Sequence, residues 1–193
     1  MILICRHGET QWNTQKRKQG RKDSPLTLKG INQGIALAQE LKNKFYSKDM
    51  DIISSPLFRT RQYASIISDI MDVSYSKINF DERLKEHSFG LWEGLNEIEI
   101  EKKFPGMVAA REANWWSYKV PEGESYELLE ARLLPFVEDL DSSKDYIFIA
   151  HEMVSKVLRK ILLGLSESEC LALKHHHNVI MNIDNKELSE VKF

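Results

Sequence analysis

Short apolar runs alternate with amphipathic stretches along this chain. Ile2-Leu3-Ile4-Cys5 is a continuous apolar run of the kind expected for a strand buried on both faces of a parallel sheet. Arg6 ends it abruptly, and a polar stretch from Gly8 to Ser24 follows. Thr27 then has the chemistry of a helix cap, with Ile31, Ile35, Ala38, Leu41 and Phe45 at helical spacing behind it. Asp51 to Ser55 reads as a second strand, and Ser55-Pro56 as the opening of a helix through Ala64, Ile67 and Met71. Ser76 to Phe80 is a weaker strand signal, and Arg83 to Gly94 reads as an irregular loop. Short helices are expected over Asn96 to Phe104 and around Trp115 and Trp116.

The second half gives the clearest signals. After Pro121-Glu122-Gly123-Glu124-Ser125, a helix carries Leu128, Leu129, Ala131, Leu133, Phe136, Val137 and Leu140. Tyr146-Ile147-Phe148-Ile149-Ala150 is the strongest strand signal of the chain, and His151 ends it as abruptly as Arg6 ends the first. A helix from Val154 to Leu163 should stop at Gly164. Asn178 to Ile183 and Leu188 to Phe193 read as two late strands joined by a turn at Asp184-Asn185. Strands alternating with helices predict an α/β fold: a three-layer sandwich with a mainly parallel central sheet and helices on both faces, as a single domain over residues 1–193.

Composition narrows the function class. The 27 Lys and Arg against 29 Asp and Glu leave a net charge of −2, so no global charge argues for a nucleic-acid or membrane partner. Two cysteines, Cys5 and Cys170, are too few for a disulfide framework or a cysteine-based zinc site, which points to a reducing, cytoplasmic setting. The apolar start is only five residues long before Arg6, short of the roughly 7–15 residues of a secretory core or the roughly 20 of a membrane span.

The two abrupt strand ends are the chemical signal. His7 and His151 occupy equivalent positions just past apolar strands, and in an open α/β sheet ligands bind in the crevice beyond the carboxyl ends of the strands. Arg59 falls in the first turn of the helix after the second strand, where a helix N-terminus favours an anion. Arg6, Arg59 and two imidazoles converging there make an oxyanion pocket, and a guanidinium fork suits phosphate.

Five ordered blocks carry a resemblance to a known family. Arg6-His7-Gly8-Glu9-Thr10 with Trp12-Asn13, Ser55-Pro56-Leu57-Phe58-Arg59-Thr60, the loop from Arg83 to Gly94, Gly123-Glu124-Ser125 and Ala150-His151 together resemble the motifs of the histidine phosphatase superfamily, also called phosphoglycerate-mutase-like, over essentially the whole chain. The resemblance implies a phosphohistidine on His7, with Arg6, Arg59 and His151 holding the phosphoryl oxygens and Asn13 adding a neutral donor. Glu86 is implied as the acid that protonates the leaving oxygen and later deprotonates water, which requires it to be partly buried or near other acids. Gln19, Gly20 and Glu152 complete the expected phosphate-binding set. No metal and no cofactor is required, because the arginines supply the charge; the partner is a small phosphorylated substrate.

The implied activity is that of a phosphoric monoester hydrolase of the histidine acid phosphatase type. A mutase would use the same residues, but mutases of this family carry a longer segment after the acid-bearing loop, with basic residues that hold a carboxylate. Here the interval from Glu86 to His151 holds only Lys102, Lys103, Arg111, Lys119, Arg132 and Lys144 as cations, which favours a phosphatase. The sequence departs from the family at Glu152, where relatives usually have glycine. Glu152 is expected to point outward or to pair with a basic side chain such as Lys156 at i+4. A non-catalytic phospho-ligand binder, in which Glu152 has spoiled turnover, is the reading from another class.

Other chemistry in the chain is discounted. A thiol nucleophile at Cys5 requires an arginine six positions later, and that position is Gln11. Of His175-His176-His177, only His175 and His177 share a face in extended chain, so a metal site is not expected there. Arg61, two residues from Arg59, points elsewhere and is expected in a surface pair. The basic run Lys16-Arg17-Lys18 with Arg21-Lys22 is either a solvated loop or a rim steering an anion inward, and one aromatic of the Trp115 region is a candidate for the entrance.

Overall fold

A computed structural model describes residues 1–47 and 49–193. The strands are β1 (Ile2–Arg6), β2 (Asp51–Ser54), β3 (Asn79–Phe80), β4 (Tyr146–Ala150), β5 (Val179–Asp184) and β6 (Glu187–Lys192). They form one sheet in the order β3-β2-β4-β1-β5-β6, in which β3, β2, β4 and β1 pair in parallel and β5 and β6 add antiparallel. The fold is α/β, and the sheet is mixed, with its parallel part at the site.

The helices are α1 (Gln11–Thr14), α2 (Leu28–Lys44), α3 (Phe58–Met71), α4 (Glu97–Lys103), α5 (Met107–Ala113), α6 (Tyr126–Glu138), α7 (Glu152–Leu163) and α8 (Glu167–Ala172). Strand alternation sends successive side chains to opposite faces. Leu3, Cys5, Ile147 and Ile149 face one side, where they pack with Leu37, Leu41, Tyr63 and Ile67 of α2 and α3. Ile4, Phe148 and Ala150 face the other, against Leu129, Leu133 and Phe136 of α6 and Val154 and Leu158 of α7. The central strands read as unbroken apolar runs because both of their faces are covered.

Several expected boundaries move for local reasons. Thr27 caps α2 by accepting from Gly30 N, but the buried face runs through Gly34, Leu37, Ala38 and Leu41, leaving Ile35 half-buried. A Cβ at Gly34 would lie 2.9 Å from the Tyr63 ring, so glycine there is what lets α2 sit close against α3. The helix after β2 starts at Phe58 rather than at Pro56, because Asp23 accepts from Phe58 N and Arg59 N and so caps it from a distant loop. The weak third strand is only Asn79–Phe80, preceded by a 3-10 turn over Tyr75–Lys77. Trp115 and Trp116 follow α5 instead of forming a helix: Arg111 O already closes that helix by accepting from Asn114 N. Leu128, counted in the apolar stripe of α6, is exposed. Cys5 lies inside β1, and burial pushes its thiol well above the ordinary range.

Among the described residues no helix is long and apolar enough to cross a membrane.

Phe148 is fully enclosed between the sheet and α6, so Phe148→Ala should lower the unfolding free energy by about 3–5 kcal/mol. Leu188→Ala on β6, where the side chain is 38% exposed, should cost less than about 1 kcal/mol. Urea denaturation of the two variants checks the contrast.

Candidate active site

The site begins in the register of two strands. β1 and β4 pair in parallel with Arg6 opposite Ala150, and His7 N donates to Ala150 O at 3.1 Å. The residues that follow, His7 and His151, therefore emerge side by side, with ring centroids 5.2 Å apart in an edge-on contact. On the other side of β4, Ser55 N donates to Ile149 O at 2.9 Å, which brings the turn into α3, and with it Arg59, to the same end of the sheet.

His7 is buried, and its two ring nitrogens have different neighbours. Nδ1 lies 2.7 Å from Gly8 O, which can only accept, so Nδ1 carries the proton. Nε2 is then the lone pair, and it accepts from Arg59 Nε at 3.2 Å. Burial, with the Arg59 and Arg6 charges beside it, holds the imidazole's proton affinity well below its ordinary value. The result is a neutral imidazole whose free nitrogen faces a cation.

Arg59 is only 1% exposed and is held on every side. Nη1 donates to Asp23 Oδ1 at 2.6 Å and to Lys22 O at 2.9 Å, and Nη2 donates to Gly20 O at 2.8 Å. Gly20 has φ +55°, and a Cβ there would fall 2.2 Å from Glu93 Oε1, so only glycine presents this carbonyl to Arg59. Gly20 thus acts on the guanidinium. Arg6 Nη1 donates to His175 O at 2.6 Å and meets Glu152 Oε2 at 3.0 Å, while its Nε is buried without a partner among the described residues.

His151 is fully enclosed, with Nε2 2.7 Å from Ser55 Oγ and Nδ1 without a partner among the described residues. Burial and the neighbouring Arg59 and His7 keep it neutral by lowering its proton affinity. Asn13 Oδ1 accepts from Thr10 N at 2.9 Å, which leaves the amide nitrogen as its free donor, and Gln19 Oε1 similarly accepts from Ser24 Oγ at 3.3 Å. Asn13 and Gln19 line one cavity of about 170 Å³ with Arg6, His7, Arg59 and Glu86.

Glu86 is buried across this cavity. Its Oε1 accepts from His87 N at 3.0 Å and Val154 N at 3.4 Å, and its Oε2 from Met153 N at 3.5 Å, placing the carboxyl at the N-terminus of α7. Burial raises its pKa above the ordinary value; the Glu152 charge adds to that, and Arg59, the His87 amide and Arg6 oppose it. Its loop is clamped from outside by Glu124, which accepts from Ser88 N at 3.1 Å and pairs with Arg132 at 3.0 Å. Arg132 Nη1 in turn donates to Lys85 O at 2.9 Å. Glu93 joins this loop to the one before it by accepting from Phe89 N and Arg21 N.

Glu152 pairs with a basic side chain, as expected, but the partner is Arg6 and not Lys156, so the carboxylate turns inward and lines the cavity with Glu86 and Met153. It is the first residue of α7 and has no positive φ, so its backbone carries none of the strain that a glycine would relieve. Arg61 lies 4.2 Å over the Phe80 ring instead of in an ion pair. The basic run divides: Arg21 pairs with Glu124 away from the cavity, while Arg17, which pairs with Glu99, and Lys18 both line it.

The histidine triplet serves the site structurally. His175 is held between Ser155 Oγ at 2.7 Å and Val179 O at 2.9 Å, and its carbonyl holds Arg6. His177 Nδ1 donates to His7 O at 2.7 Å, and its ring centroid is 5.7 Å from that of His7. Sequence reasoning missed His177, Asp23 and Ser55 as supports of the site. Only Ser55 left a signal, as the residue opening the block from Ser55 to Thr60.

Comparison with known proteins agrees with this geometry. The family model described as "Histidine phosphatase superfamily (branch 1)" matches residues 2–190. The protein named "Probable phosphoglycerate mutase GpmB" of Shigella boydii is 32% identical over 197 residues, which cover 96% of this chain and 85% of that protein. Among solved structures, an alpha-ribazole phosphatase from Shigella flexneri shares the fold with a TM-score of 0.84 at 21% identity, covering 99% of this chain and 94% of that one. A mycobacterial glucosyl-3-phosphoglycerate phosphatase gives a TM-score of 0.80 at 25% identity, covering 93% and 87% of the two chains. A sequence and a fold that match over nearly the full length establish that the chain belongs to branch 1 of the histidine phosphatase superfamily.

Proposed function

We propose that this protein is a phosphomonoester hydrolase that works, without a metal, through a phosphohistidine on His7. The observation that carries the reading is the state of His7: Nδ1 is committed to Gly8 O, and Nε2 presents a lone pair beside Arg59 in a cavity that also holds Arg6 and a buried carboxyl. Nε2 attacks phosphorus as the bond from phosphorus to the leaving oxygen breaks, and Glu86 gives that oxygen its proton. Water then attacks phosphorus as the Nε2–P bond breaks, Glu86 takes a proton from the water, and inorganic phosphate leaves. Splitting the displacement in this way replaces one difficult step with two easier ones.

The charges suit that sequence. The phosphoryl oxygens gather negative charge, and Arg59 and Arg6 face it already oriented, so no reorganisation is needed at the moment of reaction. With Ser55 Oγ donating to His151 Nε2, the His151 Nδ1, which has no partner among the described residues, would serve as a third donor. The amide nitrogens of Asn13 and Gln19 are neutral donors at the rim. Asp23, which binds Arg59 and caps α3 at once, positions the guanidinium without touching substrate.

Glu152 opposes binding and assists proton transfer. An entering phosphoryl group competes with its carboxylate for Arg6, while its charge helps Glu86 keep a proton. Similarity to proteins named as probable phosphoglycerate mutases favours a second reading, in which the phosphoryl group on His7 returns to an alternative oxygen of the same substrate. Steady interconversion of phosphoglycerates with a bisphosphoglycerate primer, without net phosphate release, would establish it over the hydrolase.

Because the pKa of Glu86 is raised, its acid form outlasts an ordinary glutamic acid as pH rises; activity on an alkyl phosphate should fall only as pH passes through that raised value. The lowered proton affinity of His7 puts the acid limb well below its usual value of 6.5. Glu86→Gln should remove the basic limb and cost about 10²–10⁴-fold in kcat/KM on alkyl phosphates, and far less on p-nitrophenyl phosphate, whose leaving group needs no proton. Equal losses on both substrates would remove Glu86 from the acid role.

Glu152→Gln should tighten inhibition by inorganic phosphate by about ten-fold, the equivalent of about 1.4 kcal/mol. It should also move the basic limb to lower pH, since Glu86 loses a neighbouring negative charge. Steady-state kinetics across pH with phosphate as inhibitor reads both effects.

A further inference from the structure

The two edges of the sheet are finished differently. At one edge β3 is only two residues long and leaves little to pair with, whereas at the other β6 offers the whole run Glu187–Lys192. Which backbone groups of β6 face outward follows from its hairpin with β5. Asn185 and Lys186, at φ +48° and +64°, form a two-residue turn flanked by Asp184 and Glu187. Phe193 N donates to Asn178 O, so the pairs that exchange hydrogen bonds with β5 recur at Glu187, Ser189, Val191 and Phe193. Leu188, Glu190 and Lys192 therefore turn their N–H and C=O groups to the open edge.

The side chains there carry a pattern of their own. Glu187, Glu190 and Lys192 are exposed, and none of them forms an ion pair among the described residues. Burial lowers the proton affinity of Arg159 on α7 and the Glu190 charge opposes that, yet Arg159 donates to Ser155 O and Lys174 O and leaves the Glu190 carboxylate at the surface. Val191 is half-buried and packs, with Phe193, on the α2 side of the sheet.

We propose that this edge pairs antiparallel with β6 of a second copy of the chain, about a two-fold axis at Val191, to make one continuous sheet. Outward groups must meet outward groups, so the axis falls on a residue and not between two. An axis at Glu190 would oppose two carboxylates, and one at Lys192 two ammonium groups. An axis at Ser189 would set Leu188 against the partner's Glu190. An axis at Val191 sets Glu190 against the partner's Lys192 and Lys192 against the partner's Glu190, with both backbone bonds exchanged in each pair. Val191 then meets the partner's Val191 at a non-hydrogen-bonded position, where side chains lie closest.

The same register brings the partner's Ser189 opposite Phe193. Phe193, Leu28 and Ala36 line a surface cavity of about 460 Å³, which continues the contact onto α2. The overlap is short compared with the roughly 1,200–2,000 Å² of a stable complex, so the dimer is reversible and depends on concentration. No residue that lines the phosphoryl cavity stands on this edge, and the pairing is independent of the reaction at His7.

Sedimentation equilibrium over a wide range of protein concentration tests the pairing. The wild-type chain should reach twice its monomer mass as concentration rises. Glu190→Lys and Lys192→Glu should each weaken the dimer by about ten-fold or more, because each turns two attractive pairs into repulsive ones. An equimolar mixture of the two variants should restore it, since one copy then presents two cations and the other two carboxylates. Lys192→Pro, which removes an outward N–H and no bond to β5, should weaken it as well. If Glu190→Lys fails to fold beside Arg159, Lys192→Glu carries the test: its weakening should shrink at high salt, which screens exposed repulsion. A monomer at every concentration, a dimer that none of the substitutions weakens, or a mixture no tighter than its separate variants would overturn the proposal.

Discussion

The site depends on one pairing, the parallel register that sets Arg6 of β1 opposite Ala150 of β4. It makes the next residue of each strand emerge at the same edge, and both of those residues are histidines. A slip of one residue would send every side chain of a strand to the other face, so the packing that fixes the register also fixes the imidazoles. Leu3, Cys5, Ile147 and Ile149 on one side and Ile4, Phe148 and Ala150 on the other supply that packing. Stability and chemistry therefore share the same residues: the core of the sheet ends where the reaction is proposed to begin.

Around the histidines the chain arranges charge by burial. Arg59, almost completely enclosed, keeps its orientation because Asp23 and two carbonyls hold its fork, and it depresses proton binding at His7 and His151. The same enclosure raises the pKa of Glu86, so one low-dielectric pocket holds two neutral imidazoles and a carboxyl group that retains its proton longer than usual. Pairs of groups whose environments push them apart in this way are the usual mark of acid and base roles. Glu152 modifies the pattern from within, since it both occupies Arg6 and adds negative charge beside Glu86.

Much of this was legible in the sequence, and what was not has a common cause. The strands Ile2–Arg6 and Tyr146–Ala150, the Thr27 cap and the two histidines are local or periodic signals, readable without knowing what packs on them. Asp23 caps α3 from 35 residues away, and His177 reaches His7 across 170, so neither leaves a pattern within a sequence window. Glu152 meets the same limit: a basic partner was expected, with Lys156 at i+4 the local candidate, and the tertiary one, Arg6, won. Arg111, counted as one cation in a segment too short for a mutase, is buried beside the site by the small cluster of Phe89, Trp92, Ile100 and Val120, a placement that depends on packing.

The central claim is that His7 Nε2 carries the phosphoryl group between two displacements. Rapid quenching of the protein during turnover of a ³²P-labelled phosphomonoester tests it most directly. The account predicts label bound to protein that is lost in acid, survives alkali, maps to the peptide containing His7 and disappears in His7→Ala. Phosphate release with no trapped label, or label that persists in His7→Ala, would contradict it.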